Sequence, residues 1–187
     1  MPEEKKVDEI KKFWPKDAPN FDNVPKYIKK YKKELIVIKY GGNVLIDRNI
    51  FNNFIEDISV LNKLGLSIIV VHGGGPRIER KLKEENIQTK FINGLRVTDE
   101  KVISIVEEVL IDFNTDIVDS LKKKGSEAVT ITSKTNNVIN VVPDNKELGF
   151  VGIPDSINIE FLKEIINKKQ IPVIAPLGIA KNRNTYN

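Results

Sequence analysis

The stretch Ile36-Val-Ile-Lys-Tyr-Gly-Gly-Asn43 and its echo Ile68-Ile-Val-Val-His-Gly-Gly-Gly-Pro76 decide how the chain reads. Each is a short β-branched apolar run that stops at consecutive glycines, and each is followed by a helical pattern. Continuous apolar runs of this length read as strands buried on both faces, as in a parallel sheet. Glycines at the carboxyl end of a strand let the backbone turn tightly and approach a ligand. A helix starting there aims free N–H groups and the positive end of its dipole at the same spot. Two such loops, with Lys39 at the lip, suit a phosphate or carboxylate. The plainer alternative is a pair of ordinary βα turns.

Around this pair the chain alternates helices and strands. A weak helical pattern over residues 4–14 places Val7, Ile10 and Trp14 on one side, and Pro15 and Pro19 end it. A second helix is expected from Asn23, as N-cap, with Pro25 in the first turn. Its stripe of Val24, Tyr27, Ile28 and Tyr31 is flanked by lysines and could pack on its own domain or on a second subunit, the tyrosines leaning the reading slightly to the second. Strands are expected at 35–40 and 67–72, with helices at about 48–64 and from Pro76 to Asn86. Asn93-Gly94 between β-type residues signals a hairpin turn. Arg96 follows it, either simply solvated or placed to clamp a carboxylate.

Thr98 reads as the N-cap of a long helix that reaches Lys124 and is ended by Gly125. Ala128–Thr132 and Asn137–Val142 read as strands, and Pro143-Asp-Asn as a turn. Leu148–Gly152 reads as a hairpin arm, a helix is expected from near Ser156, and Ile171–Ala175 as a strand. Residues 176–187 read as a polar loop. The predicted fold class is α/β, a three-layer sandwich around a mostly parallel sheet, with ligands bound at the strands' carboxyl ends.

Composition narrows the chemistry. The 187 residues suffice for a domain with a proper core. There is no cysteine, which excludes disulfides and thiolate chemistry, and His72 is the only histidine, which excludes a His-rich metal centre. No metal ligand set is assigned. No apolar run nears the ~20 residues that span a bilayer, and the N-terminus lacks a signal-peptide core, so a cytoplasmic location is expected. The net charge of +4 resides in residues 1–33, with ten lysines against six acidic residues; the remainder is neutral. This argues against a nucleic-acid face and leaves no membrane role. Neither G-x-x-x-x-G-K-[ST] nor G-x-G-x-x-G nor G-x-S-x-G occurs. What remains, a lysine and clustered backbone amides, suits electrostatic stabilisation of phosphoryl transfer.

Five segments together resemble the acetylglutamate kinases of the amino acid kinase family. They are Val37-Ile-Lys-Tyr-Gly-Gly-Asn43, Val71-His-Gly-Gly-Gly-Pro76, Asn93-Gly-Leu-Arg-Val-Thr98, Leu148-Gly-Phe-Val-Gly152 and Ile171-Pro-Val-Ile-Ala-Pro176. The likeness runs from about residue 24 to the end, and the Asn93–Thr98 run is its most specific part. It implies ATP-dependent phosphorylation of the γ-carboxylate of N-acetyl-L-glutamate in arginine biosynthesis, with Mg2+ accompanying ATP. Carried over by position, Lys39 would stabilise the transferring phosphoryl group. Gly41, Gly42, Gly73 and Gly74 would offer amides to phosphoryl and carboxylate oxygens. Arg96 would grip the α-carboxylate, Asn187 would contact substrate, and Leu148–Gly152 would form part of a lid. A carboxylate is already nucleophilic at neutral pH, so no general base is required, and His72 is expected to be structural.

The helix at 24–33 resembles the N-terminal helix of arginine-inhibited members. This implies a homo-oligomer, dimer or hexamer, and arginine as a candidate effector. By the same resemblance residues 1–33 form a helical extension and 34–187 the acetylglutamate-binding lobe. The nucleotide-binding lobe, with its second lysine and orienting aspartate, is not in these 187 residues. The chain is therefore expected to be inactive alone. The alternatives are a non-catalytic acetylglutamate-binding or regulatory module, and a sister kinase for another small acceptor.

Overall fold

A computed structural model describes Lys11, Trp14, Ala18, Asn20–Gly42 and Asp47–Asn187. Apart from Lys11 and Trp14, the helix expected over residues 4–14 lies outside the described residues, as does Asn43. The central sheet has four parallel strands in the order β1 (Leu35–Tyr40), β2 (Ser67–His72), β8 (Ile171–Ile174), β5 (Ala128–Ile131). The β1–β2 register runs from Leu35 opposite Ser67 to Tyr40 opposite His72, so both strands end together at their glycines.

Helices cover the sheet on both sides, which makes three layers. On one face lie α2 (Arg48–Lys63) and α4 (Glu100–Lys123), which bury Ile55, Ile58, Phe113, Ile117 and Leu121 against Tyr40, Ile68, Val70 and Val173. On the other, α5 (Ile159–Asn167) sets Leu162 and Ile165 against Ile69, Ile131 and Ile174. The asymmetry of β1 departs from expectation. The strand is an edge strand among the described residues, and α5 does not reach it. Leu35 and Val37 are therefore 51% and 61% exposed, and only the α2–α4 side is covered.

α3 (Gly75–Glu84) packs Ile78 and Leu82 against the first half of α4, with Ala175 and Leu177. Above the carboxyl edge sits a second sheet ordered β10 (Thr185–Tyr186), β9 (Gly178–Ile179), β6 (Ile139–Pro143), β7 (Gly152–Ile157). Residues 176–187 thus form a small hairpin with buried Leu177, Ala180 and Tyr186, not the polar loop expected. Pro143 lies in β6 rather than in a turn. The arm predicted at Leu148–Gly152 is instead a 3-10 turn ending at Leu148 and a connection into β7 in which Val151 is buried and Gly149 exposed. Ser156 is a strand residue there, and α5 starts three residues later, capped by Asn158, whose side chain accepts from the Phe161 amide at 3.1 Å.

β3 (Phe91–Ile92) and β4 (Leu95–Arg96) form the expected hairpin, with left-handed φ of 50° at Asn93 and 82° at Gly94. Thr98 is not the N-cap of α4. Its amide donates to the Leu148 carbonyl at 2.9 Å and its own carbonyl accepts from Phe150 at 2.7 Å. Asp99 caps the helix instead, accepting from the Val102 amide at 2.9 Å. Gly149 faces this crossing with φ of 71°, and a β-carbon there would meet the Thr98 carbonyl oxygen at 2.3 Å. Only glycine fits such an approach.

At the N-terminal side, the helix α1 (Val24–Tyr31) buries Val24 and leans Tyr31 on the main core, while Tyr27 is 52% exposed. The tyrosine stripe is thus divided between its own domain and solvent. Asn23 makes no capping bond; Asn20 caps the short 3-10 turn ahead of it, accepting from Asp22.

Leu121 is fully buried and Val37 is open, so substitution should separate them. Leu121→Ala is expected to destabilise by about 2–5 kcal/mol in urea unfolding, and Val37→Thr to stay within about 0.5 kcal/mol.

Candidate active site at the glycine loops

The register of β1 and β2 delivers both glycine loops to one edge of the sheet. A methyl group built on Gly41 would lie 3.6 Å from Lys39 Cε and 3.9 Å from the Gly73 nitrogen, so the lysine stem crosses the first loop beside the second. Lys39 is exposed, on the face of β1 that α5 leaves open. Gly42 turns with φ of 78°.

The two loops do not offer the four amides expected. The Gly73 N–H donates to the Tyr40 carbonyl at 2.8 Å, extending the β1–β2 ladder by one bond. It is not available to an anion. Gly74 and Gly75 have no hydrogen-bond acceptor for their amides among the described residues. They precede and begin α3, where the first N–H groups have no intrahelical partner and the dipole is positive. The available amides of this loop are therefore at Gly74 and Gly75, one position later than the sequence comparison placed them. Gly74 is held tightly: a β-carbon would fall 2.4 Å from Leu110 Cδ2.

Beneath the loop is a buried polar chain. Asn114 of α4 donates from Nδ2 to the Val173 carbonyl at 2.9 Å and meets His72 Nε2 at 3.1 Å. His72 Nδ1 lies 2.9 Å from the Gly73 carbonyl oxygen. Burial lowers the His72 pKa to about 4; the bond to Gly73 opposes this shift and nearby Arg77 adds to it. Arg77 itself stacks 3.9 Å above the Phe113 ring and pairs with Asp116 at 3.0 Å.

Arg96 is engaged within the protein. Its guanidinium donates to Thr89 and to Glu79 of α3, the latter at 2.8 Å, and lies 4.6 Å above the Phe91 ring. Glu79 is well exposed, so this carboxylate is a replaceable partner. Thr98, two residues on, links this hairpin through Leu148 and Phe150 to Asn187, whose amide donates to Phe150 and whose carbonyl accepts from Gly152, both at 3.1 Å. The Asn187 Oδ1 is buried without a donor.

Glu107 was missed by the sequence reading. It accepts from Ser133 at 2.6 Å, Thr185 at 2.7 Å and Lys134 at 3.1 Å, tying α4 to the β5 loop and the β10 hairpin. Burial pushes its carboxyl up, but these bonds outweigh it and hold the pKa below the usual range. No cluster of three or more His, Cys, Asp or Glu side chains suited to a metal is found among the described residues. None of their helices is long and apolar enough to cross a membrane. A groove of about 450 Å³ lined by Asn62, Leu64, Ser67 and Gln170 lies at the amino ends of the strands, the edge opposite the glycine loops.

Fold and site define a parallel α/β protein whose glycine loops and lysine gather at one sheet edge. Residues 34–186 match the Amino acid kinase family, and the chain belongs to that family. It is 55% identical over 180 residues to an acetylglutamate kinase of Pelagibacter ubique (strain HTCC1062), covering 96% of this chain and 62% of that protein. It is 44% identical over 164 residues to one of Petrotoga mobilis (strain DSM 10674 / SJ95), covering 86% of this chain and 55% of that one. The chain thus spans less than two thirds of the length of either relative. Among solved structures it resembles N-acetylglutamate synthase from Neisseria gonorrhoeae in complex with coenzyme A and N-acetyl-glutamate. The TM-score is 0.77 at 20% identity, over 89% of this chain and 39% of that one, a likeness of fold.

The histidine has a measurable signature. Its folded-state pKa lies below the unfolded value of 6.5, so its neutral form stabilises the fold fully above pH 6.5 and that contribution is lost as pH falls towards 4. The loss should be on the order of 3 kcal/mol. Urea unfolding between pH 7 and 4 is expected to show this slope, and His72→Asn to abolish it.

Proposed function

We propose that this chain is the substrate-binding part of an acetylglutamate kinase, which phosphorylates the γ-carboxylate of N-acetyl-L-glutamate with ATP. The observation that carries the reading is the convergence of Lys39, Gly41 and the Gly73–Gly75 loop at one edge, with the Gly74 and Gly75 amides open. In this reading the γ-carboxylate, ionised at neutral pH, attacks the γ-phosphorus and displaces ADP. No proton need be removed, which suits a site whose one imidazole is buried and neutral. Lys39 and the amides at Gly41, Gly42, Gly74 and Gly75 meet the negative charge on the transferring group's oxygens. Fixed donors there act with no reorganisation at the moment of reaction.

Arg96 takes the α-carboxylate, exchanging Glu79 for the substrate. Asn187 contacts the substrate, and the 148–152 connection covers both. Mg2+ finds no protein-built cluster among the described residues; magnesium is commonly held by substrate phosphates and water with few carboxylates.

The uncovered face of β1 supports a further layer in the whole protein. Leu35 and Val37 lie beside Lys39 on that face, where a nucleotide-binding lobe would bring the leaving phosphates to the lysine. The exposed Tyr27 and the lysines of α1 support a role for residues 1–33 in self-association.

Isothermal titration with N-acetyl-L-glutamate tests the assignment. Arg96→Ala should weaken binding by about 2–4 kcal/mol. Glu79→Ala, which frees the guanidinium, should bind at least as tightly as the wild type. No heat of binding in the wild type, or unchanged affinity in Arg96→Ala, would contradict the substrate assignment.

A further inference from the structure

We propose that His72 is a positioning residue: a neutral imidazole, protonated on Nδ1, that holds the Gly73 carbonyl inward and thereby turns the Gly74 amide out towards the anion.

The argument runs along a chain of groups with fixed roles. The Val173 carbonyl can only accept, so the Asn114 group 2.9 Å from it is the amide NH2. The same nitrogen lies 3.1 Å from His72 Nε2, which must therefore be the bare, accepting nitrogen. The ring proton is left on Nδ1, 2.9 Å from the Gly73 oxygen. That oxygen is itself an acceptor and demands the same tautomer. Two independent acceptors, at opposite ends of the chain, agree. His72 and Asn114 are 1% and 0% exposed, and the ring stands edge-on to Phe113 at 5.1 Å between centroids. The imidazole has no room to turn over.

The consequence follows from peptide geometry. In a planar trans peptide the C=O of one residue and the N–H of the next point in opposite directions. With the Gly73 oxygen drawn down to a buried ring, the Gly74 hydrogen points up, away from the core. A Gly-Gly peptide otherwise flips easily, since neither residue carries a β-carbon to oppose it. Flipped, it would present a carbonyl oxygen to the anion in place of a donor. Gly73 is pinned on its other side by its own amide bond to Tyr40, and Gly74 by its carbonyl, which accepts from the Ile78 amide at 2.8 Å. The His72 bond fixes the one remaining rotation.

The proposal rests on the anion-site reading of the loop, and its test separates the two. His72 is the only histidine, so nitrogen-15 NMR of the imidazole reports this ring alone. At pH 7 the Nδ1-protonated form is expected; an Nε2-protonated or rapidly averaged ring overturns the clamp, whether or not any ligand binds. In titration with N-acetyl-L-glutamate, His72→Leu fills the space without a donor and should weaken binding about tenfold or more. His72→Asn keeps an N–H near the Nδ1 position and should recover affinity to within about threefold of wild type. Urea unfolding would confirm that both are folded. Equal affinity in wild type and folded His72→Leu overturns the proposal. A wild type that does not bind N-acetyl-L-glutamate overturns the substrate reading instead, and the tautomer still decides the clamp.

Discussion

The hydrogen bond from the Gly73 amide to the Tyr40 carbonyl closes the β1–β2 ladder, and the site depends on where that ladder ends. Parallel strands have no turn between them, so their relative register is set by side-chain packing alone. Here Tyr40 is opposite His72, and each is followed at once by glycine. A slip of one residue would turn Lys39 from the open face to the packed one and put Tyr40, stacked on Phe54 at 4.1 Å, outside the core. The register therefore rests on the aromatic layer of Tyr40, Phe51, Phe54 and Phe113 under the loops. That layer continues through His72 into the polar chain beneath Gly73.

The remaining elements follow from covering this edge. α4 serves twice: its second half packs under the sheet, and its first half carries α3 and the upper sheet through the Ile78–Leu82–Val106–Leu110 cluster and through Glu107. The Glu107 carboxylate is only partly exposed and accepts from three donors, so it ties the elements around it together. Glu107 thus couples the β10 hairpin, where Asn187 lies, to the helix that also bears Asn114. Candidate binding groups distant in sequence share one support.

Much of this was legible in the residues. The strands at 35–40 and 67–72 and the helices at 48–63 and 100–123 fall where apolar periodicity put them, because their cores are continuous and long. The Asn93-Gly94 turn was equally plain, its left-handed backbone being chemistry those two residues favour. What escaped was short or depended on partners. Two-residue strands such as β9 and β10 carry no period to detect. Ser156 and Asn158 are both plausible caps, and only the length of β7 chooses between them. Thr98 looked like a cap because its competing bonds to Leu148 and Phe150 come from fifty residues away. The free amides were misplaced by one glycine, because availability depends on ladder register, which a run of identical residues does not reveal. Asn114 and Glu107 looked like polar interruptions in an apolar helix, and Glu79 gave no sign that it would meet Arg96.

The central claim is that the anion meets the loops through the amides at the carboxyl ends of β1 and β2. Amide chemical-shift mapping during titration with N-acetyl-L-glutamate tests it residue by residue. The largest changes should fall at Gly41, Gly42, Gly74 and Gly75, with the Gly73 amide, bonded to Tyr40, moving less. Changes centred instead on the opposite edge, around Asn62–Gly65 and Gln170, would contradict it.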